Sequence, residues 1–207
     1  DDRLGSSRGF NALPPCQIGS GEGATMPNRA MLPFGGVGIS PAAPCGPSAR
    51  TIRRGEAVVV DWVSSFNGYI SDQTRTYFIG PPDGELLRAY ETCRSIYHAV
   101  VAAMAPGVPG KQLYELAVKM AAEAGYEHFL GLGEYRVRFV GHGVGLELTE
   151  QPVLSYREDR PLPADCVLTV EPKIVLPGKG AVGIENTLWL SRDGPRPLTS
   201  APEMVIL

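Results

Sequence analysis

The chain has 207 residues, 43% of them apolar and 20% charged, with a formal net charge of -3. That length supports one domain, or at most two small ones, around a substantial core, and the ordinary composition excludes disorder and coiled coil. The slight acidity offers no basic face for nucleic acid, and no apolar run approaches the length of a membrane span.

Cys16, Cys45, Cys93 and Cys166 are widely spaced and form no CxxC pair. This excludes zinc-knuckle spacing and a disulfide scaffold, and a reducing cytoplasm is the expected setting. No charged-then-apolar leader precedes a small-residue cleavage site, and the chain opens on Asp1-Asp2-Arg3 without a methionine, from which it is expected to be a piece of a longer protein.

Residues 1–54 are rich in Gly, Pro, Ser and Ala, with short candidate strands at residues 16–18 and 36–39. Such composition by itself favours a flexible arm. Docked irregular structure is expected instead, because Phe10, Leu32 and Phe34 would otherwise face water. From Ala57 the pattern sharpens, and residues 55–207 read as the metal-binding core. The β-branched run at residues 57–63 is a buried strand, Asn67-Gly68 is a two-residue hairpin turn, and residues 69–79 return. Asp72, Thr74 and Thr76 then share one face by period two, and Asp61 lies close by on the adjacent strand.

Pro81-Pro82-Asp83-Gly84 ends the hairpin and supplies an N-cap for a helix over residues 85–104, with Leu87, Tyr90, Tyr97, Val101 and Met104 on its inner stripe. Pro106-Gly107-Val108-Pro109-Gly110 breaks it. A second helix follows over residues 111–124, with Leu113, Leu116, Ala117 and Met120 inward and Gly125 closing it. His98 and His128 fall on these elements and are read as surface or packing residues. Strands return at residues 137–142, 166–172 and 183–190. Two helices interrupting antiparallel-type strands make an α+β arrangement and not βαβ units.

Asp61, Asp72, Glu171 and Glu185 sit in or beside strands, and His142 lies in the glycine-rich turn Gly141-His142-Gly143-Val144-Gly145. Four carboxylates and one imidazole brought to one point repel and lose hydration, so one or two divalent cations are the natural neutraliser.

The wording of these segments resembles the methionine aminopeptidase and Xaa-Pro peptidase family, of pita-bread (creatinase/aminopeptidase) fold. Val60-Asp61 and Ser71-Asp72-Gln73-Thr74-Arg75-Thr76 are similar to its aspartate pair, and Gly141-His142-Gly143-Val144-Gly145-Leu146-Glu147 to its histidine turn. Leu168-Thr169-Val170-Glu171-Pro172 and Gly183-Ile184-Glu185-Asn186-Thr187 resemble its glutamate strands. The likeness spans about residues 55–191 in order, and five ligands in register are far more specific than one motif. The Asp-x-Thr-Arg-Thr and His-Gly-Val-Gly-Leu-Glu wording fits the Xaa-Pro aminopeptidase/dipeptidase branch better than the methionine branch.

The resemblance implies a curved, mostly antiparallel sheet backed by helices, in two similar halves. Nothing before Asp61 supplies the helix pair of the first half. An exposed apolar sheet face is therefore expected, and with it a homo-oligomer or docking to a missing N-terminal region. It also implies two divalent ions, Mn(II) first among Mn(II), Co(II), Fe(II) and Zn(II). Asp61 would chelate one ion, Asp72 and Glu185 would bridge both, and His142 with Glu171 would complete the second. Glu171 would also take the proton from the attacking water, and Thr74 and Thr187 would orient the carboxylates, or serve simply as β-branched sheet residues.

Two histidines that working relatives set against the substrate are replaced by Cys45 and Thr149. Thr149 can donate a hydrogen bond but cannot carry a proton at neutral pH, and Cys45 reads better as a buried thiol than as a nucleophile. The leading expectation is a dinuclear metal-dependent hydrolase cleaving short peptides. The alternative is a lyase or small-amide hydrolase on the same platform. A non-catalytic binding module comes last, since all five ligands are present.

Overall fold

The computed structural model describes residues 16–27, 33–41, 46–126 and 128–207. Phe10, Leu32 and Cys45 lie outside the described residues. Strand β1 (Cys16–Ser20) leads into a short 3₁₀ turn (Gly21–Thr25), and β2 (Ala57–Phe66) and β3 (Tyr69–Phe78) form the long hairpin. Asn67 and Gly68 have φ of 50° and 82°, the left-handed pair that a two-residue turn needs to match the twist of its strands. The resulting register pairs Asp61 with Thr74 and Val63 with Asp72. It sets both aspartates on one face, one step apart diagonally.

The expected strand at residues 36–39 does not form. Gly36 and Gly38 take φ of 73° and 75°, outside the extended region, and Gly38 N–H donates to Gly46 O at 3.2 Å while Gly46 N–H returns to Gly35 O at 2.6 Å. A Cβ at Gly36 would run into the Gly46 backbone, so the apolar residues there belong to a closed loop. Phe34, 2% exposed, docks this loop on Ala24, Val59, Val175 and Ala181.

Helix α1 spans Gly84–Ala103 and α2 spans Gly110–Glu123. Asp83 caps α1 by accepting from Glu85 N–H at 2.9 Å and Leu86 N–H at 3.3 Å. Its buried stripe runs through Leu86, Ala89, Tyr90, Cys93, Ile96, Tyr97 and Val100. This is rotated by about one residue from the expected line, leaving Leu87 and Val101 half-buried. That stripe faces the β7–β8 hairpin, where the small Cys93 lies with Sγ 3.8 Å from Val182 O. In α2 the buried residues are Gly110, Leu113, Ala117 and Ala121, and Gly125 follows with φ of 80°.

The remaining strands are β4 (Phe139–Gly143), β5 (Glu150–Ser155), β6 (Cys166–Val170), β7 (Lys173–Leu176), β8 (Gly180–Gly183), β9 (Asn186–Ser191), β10 (Gly194–Pro197) and β11 (Met204–Ile206). They divide into sheets of order β1-β2-β3-β11 and β10-β9-β6-β4-β5, with β7-β8 a separate hairpin. The run expected as one strand over residues 183–190 is split at Ile184-Glu185 between β8 and β9. Among the named strands only the β11–β3 pairing is parallel. The α+β architecture follows, with the helices packed on the β7–β8 hairpin and the second sheet around Leu168, Ile174 and Leu188, and with Phe78 of β3 and Phe129 in the same core. Phe78 and Tyr90 meet edge to face at 5.9 Å. The far end of the β2–β3 hairpin is bare: Trp62, Phe66 and Tyr69 are 55%, 79% and 66% exposed.

Candidate metal centre

The two sheets and the short hairpin meet where chain direction changes. Pro172 has no N–H and ends the β6–β9 ladder, whose last pair is Val170 with Asn186. The chain leaves there as β7 and returns as β8, so Glu171, Lys173 and Glu185 gather around one corner. Glu171 N–H is tied to Val140 O of β4 at 2.8 Å, and Glu185 N–H to Thr74 O of β3 at 3.0 Å. Gly141 lets β4 lie against β6, since a Cβ there would strike Thr169 O and the Leu154 side chain. His142 follows on the same strand.

Asp61, Asp72, His142, Glu171 and Glu185 converge here, all buried. His142 Nδ1 lies 2.9 Å from Gly143 O. A carbonyl only accepts, so Nδ1 carries the proton and Nε2 faces the carboxylates, 3.3 Å from Glu171 Oε1. Thr74 Oγ1 donates to Glu185 Oε2 at 2.7 Å. Thr187 Oγ1 accepts from Asp72 N–H at 3.0 Å and donates to Asp72 O at 2.8 Å, so one hydroxyl pins the backbone that carries Asp72. Arg75, 4% exposed, reaches across the sheets to Glu185 O and Asn186 Oδ1, both at 2.6 Å.

Three further polar residues of this corner, Lys173, Arg75 and Gln17, were not anticipated. Lys173 is fully buried, and its Nζ lies 2.5 Å from Glu171 Oε2, 3.2 Å from Asp61 Oδ2 and 3.3 Å from Glu185 Oε2. The signal was legible: a lysine two places after Glu171, hence on its face, inside an apolar run. Gln17 pairs with Asp61 across β1–β2, and both polar atoms of its buried amide lack a partner among the described residues. Thr149 lies exposed in the segment between β4 and β5.

Electrostatically the corner is divided. Burial, then repulsion from Glu185, Asp61 and Glu171, holds the Asp72 carboxyl well above its ordinary value. Burial likewise pushes Glu185 up to about 7, with Lys173 pulling the other way and Glu171 and Asp61 adding to the rise. For Glu171 burial also pushes upward, but Lys173 and His142 outweigh it and hold the carboxyl down to about 2. Lys173 and His142 are both raised, burial being overcome by their carboxylate neighbours.

Asp72, His142 and Glu185 each offer a donor atom, all within 4.8 Å of one another. Asp72 Oδ1 and Glu185 Oε1 are buried with no hydrogen-bond partner among the described residues. Orphaned buried acceptors beside an imidazole whose Nε2 faces them fit a divalent cation, which would take the place of the Nε2 proton. Lys173 engages one oxygen each of Asp61, Glu171 and Glu185, so Glu185 offers its other oxygen, Oε1.

The description "Metallopeptidase family M24" matches residues 16–192. A Xaa-Pro dipeptidase of Pyrococcus furiosus is 36% identical over 152 residues, covering 73% of this chain and 42% of that protein. Among solved structures, an X-Pro aminopeptidase from Thermotoga maritima superposes with a TM-score of 0.78 at 29% identity, over 93% of this chain and 49% of the other. The Pyrococcus furiosus prolidase gives 0.74 at 31% identity, over 91% and 49%. The chain thus spans less than half the length of these relatives. Since the match spans residues 16–192, which include Asp61, Asp72, His142, Glu171 and Glu185, this chain belongs to metallopeptidase family M24, with Xaa-Pro dipeptidases among its relatives.

Proposed function

We propose that this chain carries the metal-binding part of a hydrolase that opens the peptide bond of short Xaa-Pro peptides. The observation that carries the reading is the pair of unpartnered acceptors, Asp72 Oδ1 and Glu185 Oε1, beside His142 in a buried corner. Asp72, His142 and Glu185 would hold a divalent ion, Mn(II) being favoured by oxygen-rich coordination. Such an ion supplies a Lewis acid that polarises a carbonyl and makes water a nucleophile near neutral pH.

The chain's own residues do the rest. His142 is held in one tautomer by Gly143 O, and Thr74 fixes the Glu185 carboxylate, so neither has to reorganise when substrate arrives. Glu171 is the proposed proton acceptor. It is ionised and close to the centre, and accepting a proton requires it to loosen its bond to His142 or Lys173. Gln17 adds an uncommitted buried amide next to Asp61, able to bind a peptide group.

A second reading, a lyase or small-amide hydrolase on the same platform, is favoured by Thr149, since a hydroxyl cannot relay a proton as a histidine does. A cytoplasmic setting and self-association, or docking to a further N-terminal region, belong to the same proposal. The bare Trp62, Phe66 and Tyr69 support the association.

The deciding experiment is turnover of a panel of Xaa-Pro dipeptides with added Mn(II), followed by release of proline. Hydrolysis that a chelator abolishes is the expected outcome. A metal-loaded protein that leaves every dipeptide intact would overturn the peptidase reading in favour of the second.

A further inference from the structure

We propose that Lys173 is a built-in cation that stands in for one of two metal ions, leaving a one-ion centre held by Asp72, His142 and Glu185. The inference rests on the reading above that the corner binds a divalent ion, and it concerns how many ions and by whose displacement.

The ammonium has three N–H donors, and Nζ meets three carboxylates, those of Asp61, Glu171 and Glu185, at 2.5–3.3 Å. It therefore has a full complement of partners, in the position from which a cation would gather those same oxygens. The stem has a made-to-fit path. Lys173 faces Gly183 across the β7–β8 ladder, and a Cβ at Gly183 would lie 2.6 Å from Lys173 Cγ. Any larger residue there would push the ammonium out of the corner.

What Lys173 leaves free is the set that can still bind. Asp72, His142 and Glu185 keep donor atoms within 4.8 Å of one another, and Asp72 Oδ1 and Glu185 Oε1, the Glu185 oxygen that Lys173 does not engage, have no partner among the described residues. Charge agrees. Four carboxylates with one ammonium and one divalent ion leave one residual negative charge. A second divalent ion beside the ammonium would make the buried corner positive and repel Nζ at close range. Moving Lys173 aside would bury an unpaired charge elsewhere, which is strongly unfavourable.

The test is metal content and magnetic state of the chain, stripped by chelator and then equilibrated with Mn(II). We expect one Mn(II) per chain by elemental analysis and titration calorimetry, and a mononuclear six-line electron paramagnetic resonance spectrum. In Lys173→Met, checked for its fold by circular dichroism, the count should rise from one to two. The wild-type spectrum tests the one-ion count even where that variant does not fold, and Lys173→Gln then takes its place in testing the exclusion. An exchange-coupled pair of ions in the wild-type chain would overturn this proposal alone. One ion in both chains would also overturn it, since Lys173 would not be what excludes the second. No Mn(II) in either would overturn it together with the metal reading on which it rests.

Discussion

Thr74 and Thr187 are β-branched residues in adjacent sheets, and either would be at home there for packing alone. Their hydroxyls separate the two roles. Thr74 Oγ1 donates to Glu185 Oε2, whereas Thr187 holds the Asp72 backbone from both its N–H and its carbonyl. Thr74→Val keeps the shape and removes only the donor. Mn(II) affinity by titration calorimetry should then fall by about 10–100-fold, the usual effect of losing a residue that orients a ligand, with little change in melting temperature. Unaltered affinity would mean that Lys173 alone positions Glu185. The candidate residues Asp61, Asp72, His142, Glu171 and Glu185 stood out because their types and order are uncommon in combination. Lys173 was harder to see because a buried lysine is costly alone, and its three partners come from segments up to 112 residues away, Asp61 being the most distant.

Among the elements, α1 shows what local sequence can specify. Pro-Pro-Asp-Gly marks its start, and Asp83 caps it as read, but the face it buries was set by its neighbour, the β7–β8 hairpin. Asp83→Ala should destabilise the chain by about 1 kcal/mol, measured by urea unfolding at neutral pH. The sign of its pH dependence follows from the cap. Hydrogen bonds from Glu85 and Leu86 N–H hold the Asp83 carboxyl below its ordinary 3.8. Its contribution is therefore full above that value and lost as pH falls through the depressed native one. The gap between wild type and variant should narrow on acidification, and a gap that widened below pH 3.8 would contradict the cap. At Gly36 and Gly38 the local reading failed, because alternating Val and Ile suggest a strand while the glycines' positive φ closes a loop.

At the scale of the molecule, Arg75 joins what the ladder pairings leave separate. It leaves β3 of the first sheet and donates to Glu185 O and Asn186 Oδ1 at the start of β9, and to Ala201 O near the C-terminus at 2.9 Å. Arg75→Lys keeps the charge but loses the planar fork, leaving several buried acceptors without donors. A loss of about 2–3 kcal/mol is expected, from the usual penalty for such groups. Chemical unfolding would measure it, and a variant as stable as wild type would show that the Arg75 fork is not needed to hold the sheets together. The sequence by itself determined the α+β class, the β2–β3 hairpin with its Asn-Gly turn, both helices and the family wording of the ligands, because each is written in a short window by periodicity, turn chemistry or motif. Only the tertiary structure decided that the ligand corner is shared with an ammonium, that Arg75 and Gln17 face inward, and where α1 turns its stripe. Those depend on which distant backbones approach closely enough for burial to make a charge or an amide seek a partner, and no local pattern encodes that distance.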